Sequence, residues 1–222
     1  MFARIASRYD FVNTIMTGGA HHSWRRRAIQ LVSPWNGWAL DVATGTGDLA
    51  LELARHPHAD QVVGLDVVPE MLKLARKKST QSSFSQQITW LHGDAMALPF
   101  PNAVFGTVTS GFGLRNVSNL PLALREMVRV TAPGGRIVIV EITPVQGDSP
   151  VRKLIRFHFR HVTPWIGAII AGNREAYTYL PNSVENFPNP ETLADLLRHA
   201  GARNVQYQLV GLSTVAIHWG TC

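Results

Sequence analysis

Short apolar stretches alternate with amphipathic ones through most of the chain. Apolar runs rich in branched residues indicate strands, and apolar residues three or four positions apart indicate helices. This pattern predicts strands over residues 39–43, 61–66, 88–92, 104–110 and 136–142, with helices over 48–56, 69–76 and 120–130. Strands that alternate with helices are typical of a doubly wound parallel sheet, so we predict an α/β fold of Rossmann-like type.

The last part of the chain departs from this alternation. A helix is predicted over residues 190–201, followed by strands over 205–210 and 215–219 with only a short link between them. So short a link requires an antiparallel pair, because a parallel crossover needs about a dozen residues or more. The predicted sheet is therefore mostly parallel, with an antiparallel C-terminal edge.

Two segments lie outside the predicted sheet. Residues 1–36 are predicted to form an N-terminal helical lid, which a Thr-Gly-Gly sequence at 17–19 breaks into two pieces. Residues 144–187 are basic and aromatic, then apolar and tyrosine-rich, and we predict that they form a cap inserted into the core. The chain is thus interpreted as one domain, with its core in residues 37–143 and 188–222.

Composition narrows the classes of function. The chain has 222 residues, a formal net charge of +6 and one cysteine, Cys222, at its last position. A single cysteine excludes an internal disulfide framework and a cysteine-rich metal site, and no spacing of His, Asp and Glu indicates another metal site. We expect no signal peptide and no membrane-spanning segment, and therefore a cytoplasmic protein.

The clearest candidate site is the turn after the first strand, where Gly45 and Gly47 flank Thr46. Glycines leave room for a ligand to approach the main chain, and the first amides of the following helix point toward that ligand. Gly45, Gly47 and Ala50 also fit the spacing of dinucleotide-binding turns. The turn alone therefore leaves open which nucleotide-type cofactor is bound.

Acidic residues favour S-adenosylmethionine over a nicotinamide cofactor. Asp41 precedes the glycines, where it would repel a pyrophosphate but stabilise an ammonium or sulfonium group. Asp66 ends the second strand and suits the ribose hydroxyls of either cofactor, whereas Asp94 and Ala95 follow the third strand and suit an adenine. Because Gly111 ends the fourth strand at the same edge of the sheet, we predict that these residues form one cofactor site.

Longer motifs carry a resemblance to a known family. The most specific are Gly111-Phe112-Gly113-Leu114-Arg115-Asn116-Val117 and Tyr177-Thr178-Tyr179-Leu180-Pro181, and others lie at residues 2–10, 19–26, 93–101, 123–127, 133–135, 187–188 and 215–218. In these motifs the chain resembles the ubiquinone/menaquinone biosynthesis C-methyltransferases. The resemblance implies the fold of class I S-adenosylmethionine-dependent methyltransferases, with cofactor contacts at Thr46, Asp66, Asp94, Ala95 and Gly111.

The same resemblance implies a substrate. It is a prenylated quinol that is methylated at a ring carbon, with demethylmenaquinol the expected acceptor. A benzoquinol precursor of ubiquinone is the alternative acceptor. The ring carbon is a weak nucleophile until the neighbouring hydroxyl begins to lose its proton, so the site must position the ring and stabilise phenolate charge.

Three residues are predicted to act on the acceptor. Arg115 would stabilise the phenolate or orient a water molecule, since arginine stays protonated and is no base. Its structural alternative is an ion pair with Asp10 or Glu141. Asn116 would hold that water or the quinol oxygen. Tyr9, in the predicted lid, is the second candidate for the substrate hydroxyl, and a packed lid aromatic is its alternative.

The predicted cap combines positive charge with apolar side chains. Arg152, Lys153, Arg156 and Arg160 lie close to Phe157 in the sequence. Such a segment favours peripheral contact with the anionic inner face of the cell membrane. An ordinary cap helix packed on the domain is the alternative. The oligomeric state is open, and a homodimer is compatible with the sequence.

Other functions remain as rivals. A nicotinamide-dependent oxidoreductase with a similar core is disfavoured by Asp41 and by the antiparallel strands. A quinone-binding protein without activity is disfavoured by the intact cofactor edge. No nucleic-acid partner is expected, because the fourth strand lacks an Asn/Asp-Pro-Pro-aromatic motif and Cys222 is misplaced for pyrimidine methylation.

Overall fold

The computed structural model describes residues 10, 13–15, 17–32, 37–57, 59–147, 149–157 and 183–222. Within these residues the chain forms one seven-stranded sheet with the strand order β3-β2-β1-β4-β5-β7-β6. The strands are β1 Gly37–Val42, β2 Ala59–Asp66, β3 Ile88–His92, β4 Phe105–Gly111, β5 Thr131–Ile142, β6 Arg203–Val210 and β7 Val215–Thr221.

Helices connect most of these strands. They are α1 Ala20–Gln30, α2 Asp48–Ala54, α3 Pro69–Ser79, α4 Leu120–Val130, α5 Pro150–Phe157 and α6 Pro190–His199. Helices α3, α4 and α6 begin with a proline at the first or second position. Proline fits there because the missing N–H has no partner in the helix and the fixed φ is already helical. The predicted helices therefore begin where the sequence places them.

The sheet confirms the predicted doubly wound arrangement. β1 pairs in parallel with both β2 and β4. The pairs β2–β3 and β4–β5 are also parallel. β7 is antiparallel to both β5 and β6, as the short link between β6 and β7 requires. The chain order reverses between β1 and β4, and ligands of α/β proteins bind at the carboxyl ends of the strands at such a point.

Helices cover both faces of the sheet. One apolar core lies under α4 and α6 and includes Leu124 and Leu193, which are almost completely buried. The other lies under α1, α2 and α3 and includes Leu53 and Leu72. The interior strand β5 contributes to both cores through its continuous apolar run, since side chains alternate between the faces. The two cores thus fix the strand ends that carry the site.

The start of β5 differs from its prediction. Residues 131–135 are predicted as a break before the strand, but pairing with β4 already begins at Thr131. An irregularity between Phe105 and Thr107 accommodates the extra residues, and Gly134 has a φ of +77°. A Cβ on Gly135 would lie 2.9 Å from the carbonyl oxygen of Gly106, so the close approach of two backbones requires glycine there. The breaker residues here form a bulge inside a strand.

The regions outside the core are described only in part. In the N-terminal region a turn at Gly18 and Gly19 separates the helical residues 13–15 and 17 from α1. Tyr9 and residues 158–182 of the predicted cap lie outside the described residues, so the boundaries of the lid and the cap stay predictions. Across the described ranges, no helix combines the length and the apolar character that crossing a membrane requires.

Candidate functional site

A cavity opens at the carboxyl ends of β1, β2 and β4 and beside the loop after β3. The structure brings most of the predicted cofactor residues together around it: Gly45, Thr46, Asp66, Asp94, Ala95 and Gly111. Asn116, one of the three residues predicted to act on the acceptor, also lines the cavity. The site therefore lies where the reversal of strand order predicts it.

Asp66 connects the end of β2 to the glycine turn. One carboxylate oxygen accepts a hydrogen bond from the backbone N–H of Gly45 at 2.7 Å, and the other accepts from Val68 at 2.8 Å. Burial raises the pKa of Asp66, against the opposing effect of these backbone donors. Because a carboxylate oxygen accepts more than one hydrogen bond, Asp66 keeps acceptor capacity for ligand hydroxyls in the cavity.

Asp41 lies beneath the turn and does not line the cavity. It is completely buried, and its carboxylate accepts hydrogen bonds from the hydroxyls of Thr44 at 2.6 Å and Thr109 at 2.9 Å. The predicted direct contact between Asp41 and a cofactor is therefore corrected to a supporting position. Thr44 is one of the cavity residues, so Asp41 acts on the site through the turn. Burial raises the pKa of Asp41 to about 7.

The two glycines of the turn have different roles. Gly45 lines the cavity with a φ of +57°, and a Cβ built on it would meet open space. Gly47 is not a cavity residue, and a Cβ built on it would collide with the indole ring of Trp90. Its φ of +82° also favours glycine at the position before α2. Gly47 is therefore required by packing, and only Gly45 leaves space for a ligand.

The loop after β3 forms the far wall of the cavity. Asp94 accepts a hydrogen bond from the backbone N–H of Met96 at 2.9 Å, which closes a tight turn around the buried Ala95. Apolar side chains of Leu65 and Met71 line the cavity with this turn. A carboxylate next to an apolar surface suits a flat ring that carries an amino group.

A network of alternating charges borders the cavity at Thr46. The Thr46 hydroxyl donates a hydrogen bond to Asp10 at 2.6 Å, and Lys78 binds both Asp10 and Asp48 at 2.6 Å. Arg25 lies 3.3 Å from Asp48 and also lines the cavity. Although burial opposes it, Arg25 and Lys78 hold the pKa of Asp48 below its usual range. The network thus connects the N-terminal region to the glycine turn.

Sequence reasoning missed three members of this network, Asp48, Arg25 and Lys78, and Lys78 ends a basic run that indicates a solvated helix face. Asp48 directly follows the glycine turn and was predicted only as the start of a helix. Arg25 belongs to a run of three arginines that indicates a solvated helix face, yet its side chain is buried and lies 5.3 Å from the centre of the Phe112 ring. The only available signal was the proximity of Asp48 to the turn.

Arg115 and Asn116 occupy different environments. Arg115 forms an ion pair of 2.8 Å with Glu141, in which the side chains are 6% and 2% exposed, and it also donates to the carbonyl of Phe112. The structural alternative named from the sequence is therefore present, Arg115 does not line the cavity, and its catalytic role stays a prediction. The Oδ1 atom of Asn116 is buried and has no hydrogen-bond partner within the described part of the chain. Asn116 thus lies in the cavity wall and carries a buried acceptor that no described residue satisfies.

Replacing Asp41 by asparagine should change how stability depends on pH. The pKa of Asp41 is 3.8 in its unperturbed state and about 7 in the folded protein, so the folded state binds more protons between these values. Raising the pH from 4 to 7 therefore lowers the free energy of unfolding of the unaltered protein, by about 4 kcal/mol at most. Asp41→Asn cannot titrate, so its stability relative to the unaltered protein should rise across this interval. Urea unfolding at pH 4.5 and 7.5 measures the difference, and identical pH dependence of both proteins would contradict the assignment.

Solved structures with the same architecture include S-adenosylmethionine-dependent methyltransferases. One from Thermotoga maritima, described as a possible histamine N-methyltransferase, superposes with a TM-score of 0.67 at 18% identity, covering 99% of this chain and 97% of that one. A phosphoethanolamine N-methyltransferase from Haemonchus contortus in complex with S-adenosyl-L-methionine gives a TM-score of 0.65 at 14% identity over 90% and 52% of the chains. These likenesses confirm the predicted class I methyltransferase fold.

Relatives in sequence are much closer. A demethylmenaquinone methyltransferase from Thermus thermophilus is 44% identical over 99% of both chains, and one from Deinococcus radiodurans is 45% identical over 91% of this chain and 83% of its own. A ubiquinone/menaquinone biosynthesis C-methyltransferase from Paracoccus denitrificans is 38% identical over 99% and 88%.

A comparison of this chain with models of protein families agrees with these relatives. The protein is a methyltransferase whose cofactor is S-adenosylmethionine, as the acidic residues and the resemblance predicted. The model of the ubiE/COQ5 methyltransferase family matches residues 1–222. With that match and the cavity at the strand ends, this chain belongs to the ubiE/COQ5 methyltransferase family.

Proposed function

We propose that the protein transfers the methyl group of S-adenosylmethionine to a ring carbon of demethylmenaquinol. The observation that carries the proposal is the composition of the cavity. It combines three carboxylates, those of Asp48, Asp66 and Asp94, with an open glycine backbone and with Asn116, whose amide oxygen has no partner among the described residues. The relatives that are 44% and 45% identical bear the name of this activity, which favours a naphthoquinol over the benzoquinol alternative.

Different residues of the described cavity fit different parts of the cofactor. S-adenosylmethionine, when bound, supplies an electrophilic methyl group on a positively charged sulfur. Asp66 would accept the ribose hydroxyls, and Asp94 with Ala95 would hold the adenine. Thr46 and its charge network would border the amino-acid end. The free acceptor capacity of Asp66 and the open space at Gly45 support this assignment.

The acceptor would lie next to Asn116. Its Oδ1 atom, which has no partner among the described residues, is suited to accept a hydrogen bond from the quinol hydroxyl, and this would fix the ring relative to the methyl group. The adjacent ion pair between Arg115 and Glu141 would hold the turn that carries Asn116, because Arg115 spans from Glu141 to the carbonyl of Phe112. Tyr9 remains the second candidate for contact with the hydroxyl.

Methyl transfer from radiolabelled S-adenosylmethionine tests the proposal. We expect incorporation into demethylmenaquinol at a higher kcat/KM than into a demethylated benzoquinol precursor of ubiquinone. Asn116→Ala should lower kcat/KM for the quinol about 10²-fold through misplacement of the ring. The same variant should leave the affinity for S-adenosylhomocysteine nearly unchanged.

A matched control removes an amide far from the cavity. Gln206→Ala lies on the exposed side of β6 and should retain full activity. Preferential methylation of the benzoquinol would contradict the proposed acceptor. Equal activity of Asn116→Ala and Gln206→Ala would contradict the role of Asn116.

Helix α5 supports a second part of the proposal, peripheral contact with an anionic membrane, where a prenylated quinol would be found. Leu154 and Phe157 are 67% and 58% exposed, and the adjacent Arg152 and Lys153 are exposed as well. Apolar side chains flanked by positive charge bind the interface of anionic lipid bilayers. The net charge of +6 acts in the same direction.

Flotation with lipid vesicles tests this contact. The protein should float with vesicles that contain phosphatidylglycerol and not with vesicles of phosphatidylcholine alone. Arg152→Glu combined with Lys153→Glu should reduce the floated fraction several-fold, since each basic residue near such a surface contributes about 1 kcal/mol. Lys73→Glu with Lys77→Glu, on the exposed face of α3, is the charge-matched control. Equal loss in both double variants would contradict a specific role of α5.

A further inference from the structure

Arg129 in α4 binds the backbone of the loop after β3, although it lies outside the cavity. Its guanidinium donates hydrogen bonds to the carbonyl oxygens of Leu98 at 2.9 Å and Phe100 at 2.8 Å. It also donates to the side-chain oxygen of Asn102 at 2.9 Å. One side chain therefore holds this loop at three points.

Glu126 completes the arrangement from the preceding turn of α4. Both of its carboxylate oxygens accept hydrogen bonds from Arg129, each at 2.7 Å. One of them also accepts from the backbone N–H of Leu98 at 2.8 Å. The pair thus binds both the N–H and the carbonyl group of Leu98, and this fixes the orientation of that residue's peptide groups.

The bound segment continues directly into the cavity wall. Asp94, Ala95 and Met96 lie shortly before Leu98 in the chain, and all three line the cavity. The side chain of Leu98 is buried in the core, so its position is fixed on two sides. A shift of Leu98 would therefore move the tight turn at Asp94, because the intervening chain is too short to absorb it.

We infer that Arg129, held by Glu126, is a positioning residue for the adenine side of the cofactor site. It acts through the backbone of Leu98 and keeps the Asp94 turn in the geometry that binds the cofactor before the cofactor arrives. Binding then requires less ordering of the loop, which increases affinity. The inference rests on the proposed contact of Asp94 with the adenine amino group.

Lysine cannot replace Arg129 in this role. Its ammonium is a single point of charge, whereas the planar guanidinium reaches Glu126 and the loop carbonyls at the same time. Arg129→Lys keeps the charge and the ion pair but loses the simultaneous contacts. Arg125→Lys is the same chemical change on the same helix, at an exposed position away from the loop.

Calorimetric titration of the full chain with S-adenosylhomocysteine tests the inference. S-inosylhomocysteine, which has an oxygen in place of the adenine amino group, is the second ligand. We expect Arg129→Lys to raise the Kd for S-adenosylhomocysteine about tenfold and to narrow the preference between the two ligands. Arg125→Lys should change neither, and thermal unfolding verifies that each variant is folded at the temperature of titration.

A role limited to stability predicts a different result. Arg129→Lys would then lower the Tm but leave the ligand preference of the folded protein equal to that of Arg125→Lys, and this outcome would overturn the inference. Asp94→Ala tests the proposed placement of adenine separately from the role of Arg129. If it leaves the ligand preference intact, the proposed placement of adenine fails and the inference with it. If it abolishes the preference while Arg129→Lys retains it, only the inference fails.

Discussion

A buried carboxylate connects the glycine turn to the sheet, and the cofactor site depends on this connection. Asp41 accepts hydrogen bonds from Thr44 in the turn and from Thr109 in the neighbouring strand. Asp66 then ties the same turn to the second strand through the N–H of Gly45. Two acids thus set the turn relative to three strands, and the cavity forms where those strands end. Burial also raises the pKa of both carboxyls, so each of them is harder to ionise than an exposed carboxyl group.

Much of the fold could be predicted because local patterns and tertiary packing agree. The helix over residues 120–130 and the strand over 88–92 match the structure, and the antiparallel C-terminal pair followed from the length of one link. The start of β5 could not be predicted, because Gly134 and Gly135 read as a break in any single sequence. Only the approach of Gly106 to Gly135 shows that they belong to a bulge.

The site was predictable where strand ends determine it and not where side chains meet across the fold. Position along the strands sufficed to place Asp66 and Asp94 at one edge. It could not distinguish Asp41, which points beneath the turn, from a residue that lines the cavity. The burial of Arg25 and the contact of Arg129 with the loop after β3 depend on residues far apart in sequence. No local pattern in α4 indicates that Arg129 reaches the backbone of the loop after β3.

We propose that S-adenosylmethionine binds at the ends of these strands, with Asp66 at its ribose. Calorimetry with S-adenosylhomocysteine and with NADH, on the full chain and on Asp66→Ala, tests it most directly. Asp60→Ala, an exposed position on the same strand, is the control. We expect S-adenosylhomocysteine to bind and NADH not to bind. Only Asp66→Ala should weaken the binding of S-adenosylhomocysteine, by about tenfold or more, because it removes a charged hydrogen-bonding group. Binding of NADH, or equal affinity of Asp66→Ala and Asp60→Ala for S-adenosylhomocysteine, would contradict it.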